Sequence, residues 1–254
     1  MRDFFSKAVF ILTAVLVWEL VRVAGNYSEL LLPRAVDIFG SLWLERAEIA
    51  IKTVFSLKII GLGITVAVVI AMLATFLTLR GKFFHEVITD ILAVMHPLPG
   101  IAVLPVAILW FGIGIRAVLF VIIFSAVWPL TNHFYTGFRA IPANQLEVGK
   151  NLGLNGWRLA LLVMLPASFP HIIGGLRTGW ARAWQASVAA ELVFGAAGGH
   201  GGLGWYLYKK RFMMETPGVF AGMVVIILIG ITVEYLIFAG LEKRTVKKWK
   251  MIMD

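Results

Sequence analysis

The chain gathers its apolar residues into six stretches of about twenty, and that pattern limits the fold more than any short motif does. They fall at about 8–24, 59–79, 88–111, 117–135, 171–194 and 219–241. Crossing a ~30 Å hydrocarbon core takes about 20 helical residues at 1.5 Å rise each. Hydrophobic residues make up 60% of the 254 and charged residues 15%, whereas a soluble domain carries roughly 25% charged. One core cannot bury such a surplus, so lipid must solvate the rest. The expectation is an all-α, polytopic membrane protein with about six transmembrane helices.

Details within the stretches sharpen this. Arg2 and Lys7 precede the first one as in a signal peptide, but it runs on with Glu19 and Arg22 inside and no A-x-A site after it. It therefore reads as a retained first helix. Residues 25–58 are amphipathic, with an entry strap at 30–34 and an interfacial helix at 38–49. Pro97 and Pro99 break the third stretch near mid-membrane. The carbonyls they free are tolerated only where protein or a wet cavity satisfies them.

The net charge of +9 follows from loop lysines and arginines, which concentrate on the cytoplasmic side of membrane proteins. The tail carrying Lys243, Arg244, Lys247, Lys248 and Lys250 places both termini in the cytoplasm, although Lys209-Lys210-Arg211 then lies outside. The chain divides into 1–58, a membrane helix plus an external amphipathic segment, a transmembrane core at 59–241 with a cytoplasmic loop at 139–166, and a basic tail at 242–254. No basic stripe interleaves with aromatics as nucleic-acid binding needs. Zero cysteines exclude disulfides and thiolate metal sites. The five histidines (His85, His96, His133, His171, His200) never fall at i,i+3 or i,i+4, so there is no helical metal pair. Neither H-E-x-x-H nor a nucleophile elbow occurs, so the chain reads as non-catalytic.

The loop from Ala143 to Pro166 is the most specific polar segment. Asn144 can cap a short helix with Glu147 three positions on. Leu146, Lys150 and Leu154 share helical spacing, so such a helix can present Leu146 and Leu154 together. Gly153 and Gly156 permit a sharp bend. Trp157 to Leu165 returns to the bilayer, and Pro166 and Pro170 end that run and angle the next helix.

This loop, Glu147-Val148-Gly149, Gly153, then Val163-Met164-Leu165-Pro166, resembles the Glu-Ala-Ala (EAA) signature of bacterial ABC-importer permeases. Val148 and Gly149 stand where that family usually has two alanines. Further likeness lies in Leu32-Pro33, in Pro99 to Pro105 running into Leu109-Trp-Phe-Gly-Ile-Gly114, in Gly174-Gly-Leu-Arg177, in Ala189-Ala-Glu191-Leu192 and in Gly202-Leu-Gly204. The chain is similar, from about Leu32 to Arg244, to the nitrate/sulfonate/taurine/bicarbonate branch. The resemblance implies a type I ABC-importer permease fold in the bacterial inner membrane, paired with a second permease copy, homodimeric by default. It also implies two ATP-binding subunits, which hold the ATP and Mg, and an external solute-binding protein. Leu146, Glu147, Val148, Gly149, Lys150, Gly153 and Leu154 would then form the coupling helix that docks on the ATPase. The chain has no G-x-x-x-x-G-K-[ST] loop of its own, so ATP must be handled by a partner.

Gly199-His-Gly-Gly-Leu-Gly204 fits G-x-G-x-x-G, but a dinucleotide site needs a strand before it and a helix after, so it reads as a tight turn. Ionisable residues within spans cost about 2.5–3.5 kcal/mol at a helix centre and each needs a reason. Thr178, Arg182 and Gln185 share one face of the fifth span, and Ser187 and Glu191 a neighbouring one. Either these line a translocation path, with Arg182 attractive to an anion, or they pair between helices or snorkel at the helix ends, the better reading for Arg177 and Glu191. His96, Pro99, Arg182, Gln185 and Glu191 are the path candidates, with Asp90 beside them, while Glu234 suits a helix contact. Gly175-x-x-x-Gly179 and Gly218-x-x-x-Gly222 allow close helix approach, within one chain or between two. The functional expectation is a permease subunit of an ATP-driven importer of a small anionic solute. The alternatives are a secondary transporter or channel working without ATP, and a membrane scaffold docking a cytoplasmic partner.

Overall fold

The structure is a computed structural model, and it describes residues 2–194 and 201–245. Gly199, His200 and tail residues Lys247, Lys248 and Lys250 lie outside the described residues. Every regular element among those described is helical: α1 (Arg2–Ala24), α2 (Ala35–Leu44), α3 (Arg46–Thr78), α4 (Lys82–Met95), a 3₁₀ turn (Gly100–Val103) entering α5 (Leu104–Phe111), and α6 (Ile115–Arg139). There follow α7 (Ala143–Asn151), α8 (Gly156–Leu159), a π turn (Ala160–Met164), α9 (Leu165–Ala167), α10 (Phe169–Phe194), α11 (Leu203–Phe212), and α12 (Thr216–Thr232) running through a second π turn (Val233–Phe238) into α13 (Ala239–Arg244).

The six apolar stretches correspond to α1, α3, α4–α5, α6, α10 and α12–α13. Three helices are long and apolar enough to cross a membrane unaided: Arg46–Thr78, Ile115–Arg139 and Thr216–Lys243. Two more crossings are broken. Lys82–Met95 and Gly100–Phe111 meet at 95°, and Gly156–Ala167 meets Phe169–Val193 at 73°. The first break falls on Pro97 and Pro99, whose missing N–H groups cannot continue the ladder. The second falls at Ser168, between Pro166 and Pro170, as the proline positions predict.

One boundary differs from the sequence reading. The interfacial helix expected at 38–49 is divided at Glu45 (φ −100°, ψ 11°), so α2 ends at Leu44 and α3 starts at Arg46. A domain edge at 58 would cut that continuous helix. At this corner the Glu45 carboxylate accepts from Tyr206 Oη at Oε2 (2.7 Å) and from Lys210 Nζ at Oε1 (2.7 Å).

The core is a three-helix sandwich with α6 in the middle, burying Val118, Val121, Ile122, Leu130 and Phe134 between α3 and α10. In lipid no hydrophobic force drives helices together, so close van der Waals packing must. Small residues permit it. A Cβ on Gly175 would stand 2.9 Å from His133 Cβ, and one on Gly179 2.9 Å from Leu130 Cγ, so this glycine pair serves the α6–α10 seam within one chain. Gly218 and Gly222 likewise receive Lys210 and Leu207 of α11. Leu12, Leu16 and Leu20 of α1 and Ile227 and Ile231 of α12 face outward, as lipid contact requires.

The Lys-Lys-Arg cluster that sat awkwardly with an external α11 is largely neutralised. Lys209 pairs with Glu48 (2.6 Å), and the buried Lys210 bonds both Glu45 and Glu215. Burial pulls the Lys210 ammonium toward neutrality, but its bonds to Glu215 and Glu45 outweigh that and leave its pKa raised. Burial, then the Glu45 hydrogen bond, pushes the Tyr206 phenol up as well. This charge latch fixes α11 against the α2–α3 corner.

Candidate functional site

α7 begins after Pro142, which holds an extended conformation (φ −59°, ψ 138°) and makes no side-chain cap. Asn144 therefore lies inside the first turn and does not cap the helix. Proline sets the entry instead: its φ suits the boundary and Gln145 N donates to its carbonyl (3.1 Å). At the other end Leu154 N donates to Gly149 O (3.0 Å) and Gly153 N to Lys150 O (2.9 Å), with Gly153 at φ +77°. That is a Schellman stop, which needs a residue tolerant of the left-handed region. Gly156, at φ +53°, turns the chain again into α8.

The helix packs through its small residue. Gly149 is buried, and a Cβ there would come within 2.7 Å of Leu159 Cδ1 and 3.0 Å of Val163 Cγ2. Val148, the other departure from two alanines, points outward and needs no space. The face on offer differs from the one expected. Leu146 and Leu154 are half-buried, whereas Val148 and Leu152, one turn apart, are 58% and 75% exposed with Glu147 and Lys150 beside them. Trp157 adds a further exposed ring at 69%. Leu152 and Trp157 escaped the sequence reading because helical spacing alone does not say which face the returning segment covers.

Four of the five path candidates meet. His96, Pro99, Arg182 and Gln185 line a single cavity of about 150 Å³ with Ser125 and Trp128. The break after α4 brings His96 and Pro99 there, and the i,i+3 spacing on α10 brings Arg182 and Gln185. Among the described residues no carboxylate lines it. The indole N–H of Trp128 is buried without an acceptor. Asp90 is exposed and lies outside it, and Thr178 donates to Gly174 O (3.0 Å) instead.

Glu191 stands apart from this cavity. Its Oε2 accepts from Gly204 N (2.8 Å) and Trp205 N (3.4 Å), while Ser56 Oγ accepts from Leu203 N (3.0 Å). The first three donors of α11, which have no intrahelical partner, are thus satisfied by side chains of α10 and α3. Gly202 and Gly204 allow the approach, since a Cβ on either would meet Glu191 at 2.6 Å. So Glu191 caps α11 from α10, and Gly202 and Gly204 give the close passage that this cap requires. Arg177 ion-pairs with Glu234 (3.0 Å) and Glu242 (3.5 Å), which is the interhelical pairing expected of it. Among the described residues no group of three or more acidic or histidine side chains is placed to hold a metal.

The family described as "Binding-protein-dependent transport system inner membrane component" matches residues 60–247. The riboflavin transport system permease protein RibX of Chloroflexus aurantiacus is 27% identical over 95% of this chain and 89% of its own length. The nitrate import permease protein NrtB of Synechocystis sp. is 28% identical over 66% of this chain and 60% of its own. The taurine transport system permease protein TauC of Escherichia coli is 29% identical over 62% and 54%. Among solved structures, an amino acid ABC transporter crystallised with histidines superposes with a TM-score of 0.59 over 80% of this chain and 94% of that one, at 15% identity, which speaks to the fold. The match covers most of the chain and its helices carry the corresponding architecture, so the chain belongs to the inner-membrane permease family of binding-protein-dependent ABC transport systems.

Proposed function

We propose that this chain is the membrane-spanning half of an ATP-driven importer, coupled to a separate ATPase through α7 and the turn that ends it. The observation that carries the reading is the Val148–Leu152 face. Two apolar side chains stand exposed on a short helix, flanked by Glu147 and Lys150 and fixed behind by Gly149 against Leu159 and Val163. A helix held this way moves as a rigid body with the segment that re-enters the bilayer. Docking of α7 in a cleft of the ATPase would transmit closure of the ATPase pair to α10. Such a partner shifts the equilibrium only by its differential affinity for the two membrane conformations.

In this reading two copies pair, each with one ATPase and with a shared external solute-binding protein, in the inner membrane with α7 and both termini cytoplasmic. ATP hydrolysis belongs to the partner. The cavity at His96, Pro99, Arg182 and Gln185 is the solute path. Arg182, with no carboxylate among the described lining residues, favours a small anion. Glu191 belongs to the scaffold of that path.

Reconstitution with its ATPase and binding protein tests the proposal. Uptake should require ATP, and Glu147→Ala and Leu152→Asp should each lower it at least ~10-fold while membrane insertion is unchanged. Uptake by this chain alone would make it a secondary transporter or channel. An assembled complex with no substrate-stimulated ATPase activity would make it a scaffold.

A further inference from the structure

Two further cavities, the inner one sharing only Trp128 with the proposed path, lie along one seam between α3, α4 and α6. The inner one, about 340 Å³, is lined by Ile70, Ala74, Ile91, Leu92, Phe124 and Trp128, among others. Its one hydroxyl, Thr131, is already committed to Val127 O (2.7 Å). Water entering this groove would find almost nothing to bond, so hydrocarbon is the medium that fits it.

The outer cavity, also about 340 Å³, lies where the same helices end: Thr78, Gly81, Lys82, His85, Tyr135 and Arg139 line it. Arg139 Nη1 donates to Tyr135 Oη (2.8 Å), and Tyr135 Oη lies 3.4 Å from His85 Nδ1, which aligns the three along one wall. Among the described residues no carboxylate lines the cavity. Glu86, one turn on from Lys82, pairs with it at 3.7 Å where both side chains are well exposed, and such a pair holds its lysine weakly. Phe83 and Phe84 are exposed at the same level, where aromatic rings mark the membrane–water boundary.

The spacing matches one leaflet. From Phe124 to Tyr135 is eleven residues of α6, about 16 Å at 1.5 Å each, close to half of a ~30 Å hydrocarbon core. The geometry points to a bound phospholipid with an anionic headgroup: its phosphate sits among Lys82, His85, Tyr135 and Arg139, and one acyl chain fills the groove toward Phe124. Basic pockets between membrane helices recognise such headgroups through charge, and the apolar groove below distinguishes a lipid from a free anion. The site faces the same membrane side as α7, which starts four residues after Arg139.

Native mass spectrometry of the delipidated full-length chain in detergent tests this, with phosphatidylglycerol, phosphatidylcholine or inorganic phosphate added. Phosphatidylglycerol should be retained in preference to phosphatidylcholine, one per chain. Lys82→Gln with Arg139→Gln should weaken it about 25-fold, at about fivefold for each basic residue. Ala74→Phe, which fills the groove and leaves the headgroup residues intact, should lower its retention too. Equal retention of the two lipids with no effect of the double variant would overturn the inference. So would displacement by millimolar inorganic phosphate, which assigns the basic cavity to a free anion. Disulfide formation between two copies through Ile91→Cys would also overturn it, since a second copy would then cover the groove.

Discussion

At the scale of single residues, Gly149 and Glu191 carry consequences that their types alone do not announce. Gly149→Leu would drive a side chain into Leu159 and Val163. Overpacking of that kind costs about 1–3 kcal/mol, and here it displaces α7 from the segment it must move. The expected result is ATP-coupled uptake reduced several-fold with near-normal expression, whereas Val148→Ala, at an exposed position, should leave uptake within about twofold. Glu191 caps α11 with its carboxylate, so Glu191→Ala leaves the Gly204 and Trp205 donors unpaired in a buried place, at about 1–3 kcal/mol. Thermal unfolding in detergent should show that loss, with Ser56→Ala about half as severe because it frees one donor, Leu203 N. The sequence made Gly153 and Gly156 readable as a bend, since a left-handed backbone leaves a residue-type mark. It offered Glu191 both a helix pairing and a place in the path, and no spacing rule predicts its actual partners, Gly204 N and Trp205 N.

At the scale of elements, α11 and the broken crossings are most informative. α11 is tied to the α2–α3 corner through Lys210, Glu45 and Tyr206. Lys210→Met should destabilise by about 1.5–3 kcal/mol, the range of a hydrogen bond to a charged group. The pH dependence has a definite sign. Lys210 is raised above its ordinary 10.5 in the folded state, so its contribution is whole below that pH and is lost as pH rises through the folded value. Tyr206, raised from 10.0, acts in the same sense. Melting curves of wild type and Lys210→Met should therefore differ at pH 8 and begin to converge only as pH rises above about 10.5. Hydropathy made the apolar elements legible and prolines located the two breaks, because both are local properties. The expected 38–49 helix divides at Glu45, and nothing local marks that corner, whose carboxylate partners lie on α11 more than 150 residues away.

At the scale of the whole molecule, force and sidedness decide the function. A paired permease needs α7 on the side where ATP is hydrolysed and α11 on the side where solute arrives. In the proposed function the path between them passes His96, Arg182 and Gln185. Arg182→Gln should reduce uptake of an anionic solute about 10-fold while ATPase docking persists, a split that uptake and co-purification measure separately. The family was legible from the spacing of one loop, while the exposed face of that loop needed its packing partners in three dimensions. The chain has no cysteine, so Leu152→Cys provides a single reporter on that face. Labelling it with a membrane-impermeant maleimide in inside-out and right-side-out vesicles tests the coupling role most directly. Modification should occur only from the cytoplasmic side and fall sharply when the ATPase is bound. Modification from the exterior, or labelling indifferent to the ATPase, would contradict the account.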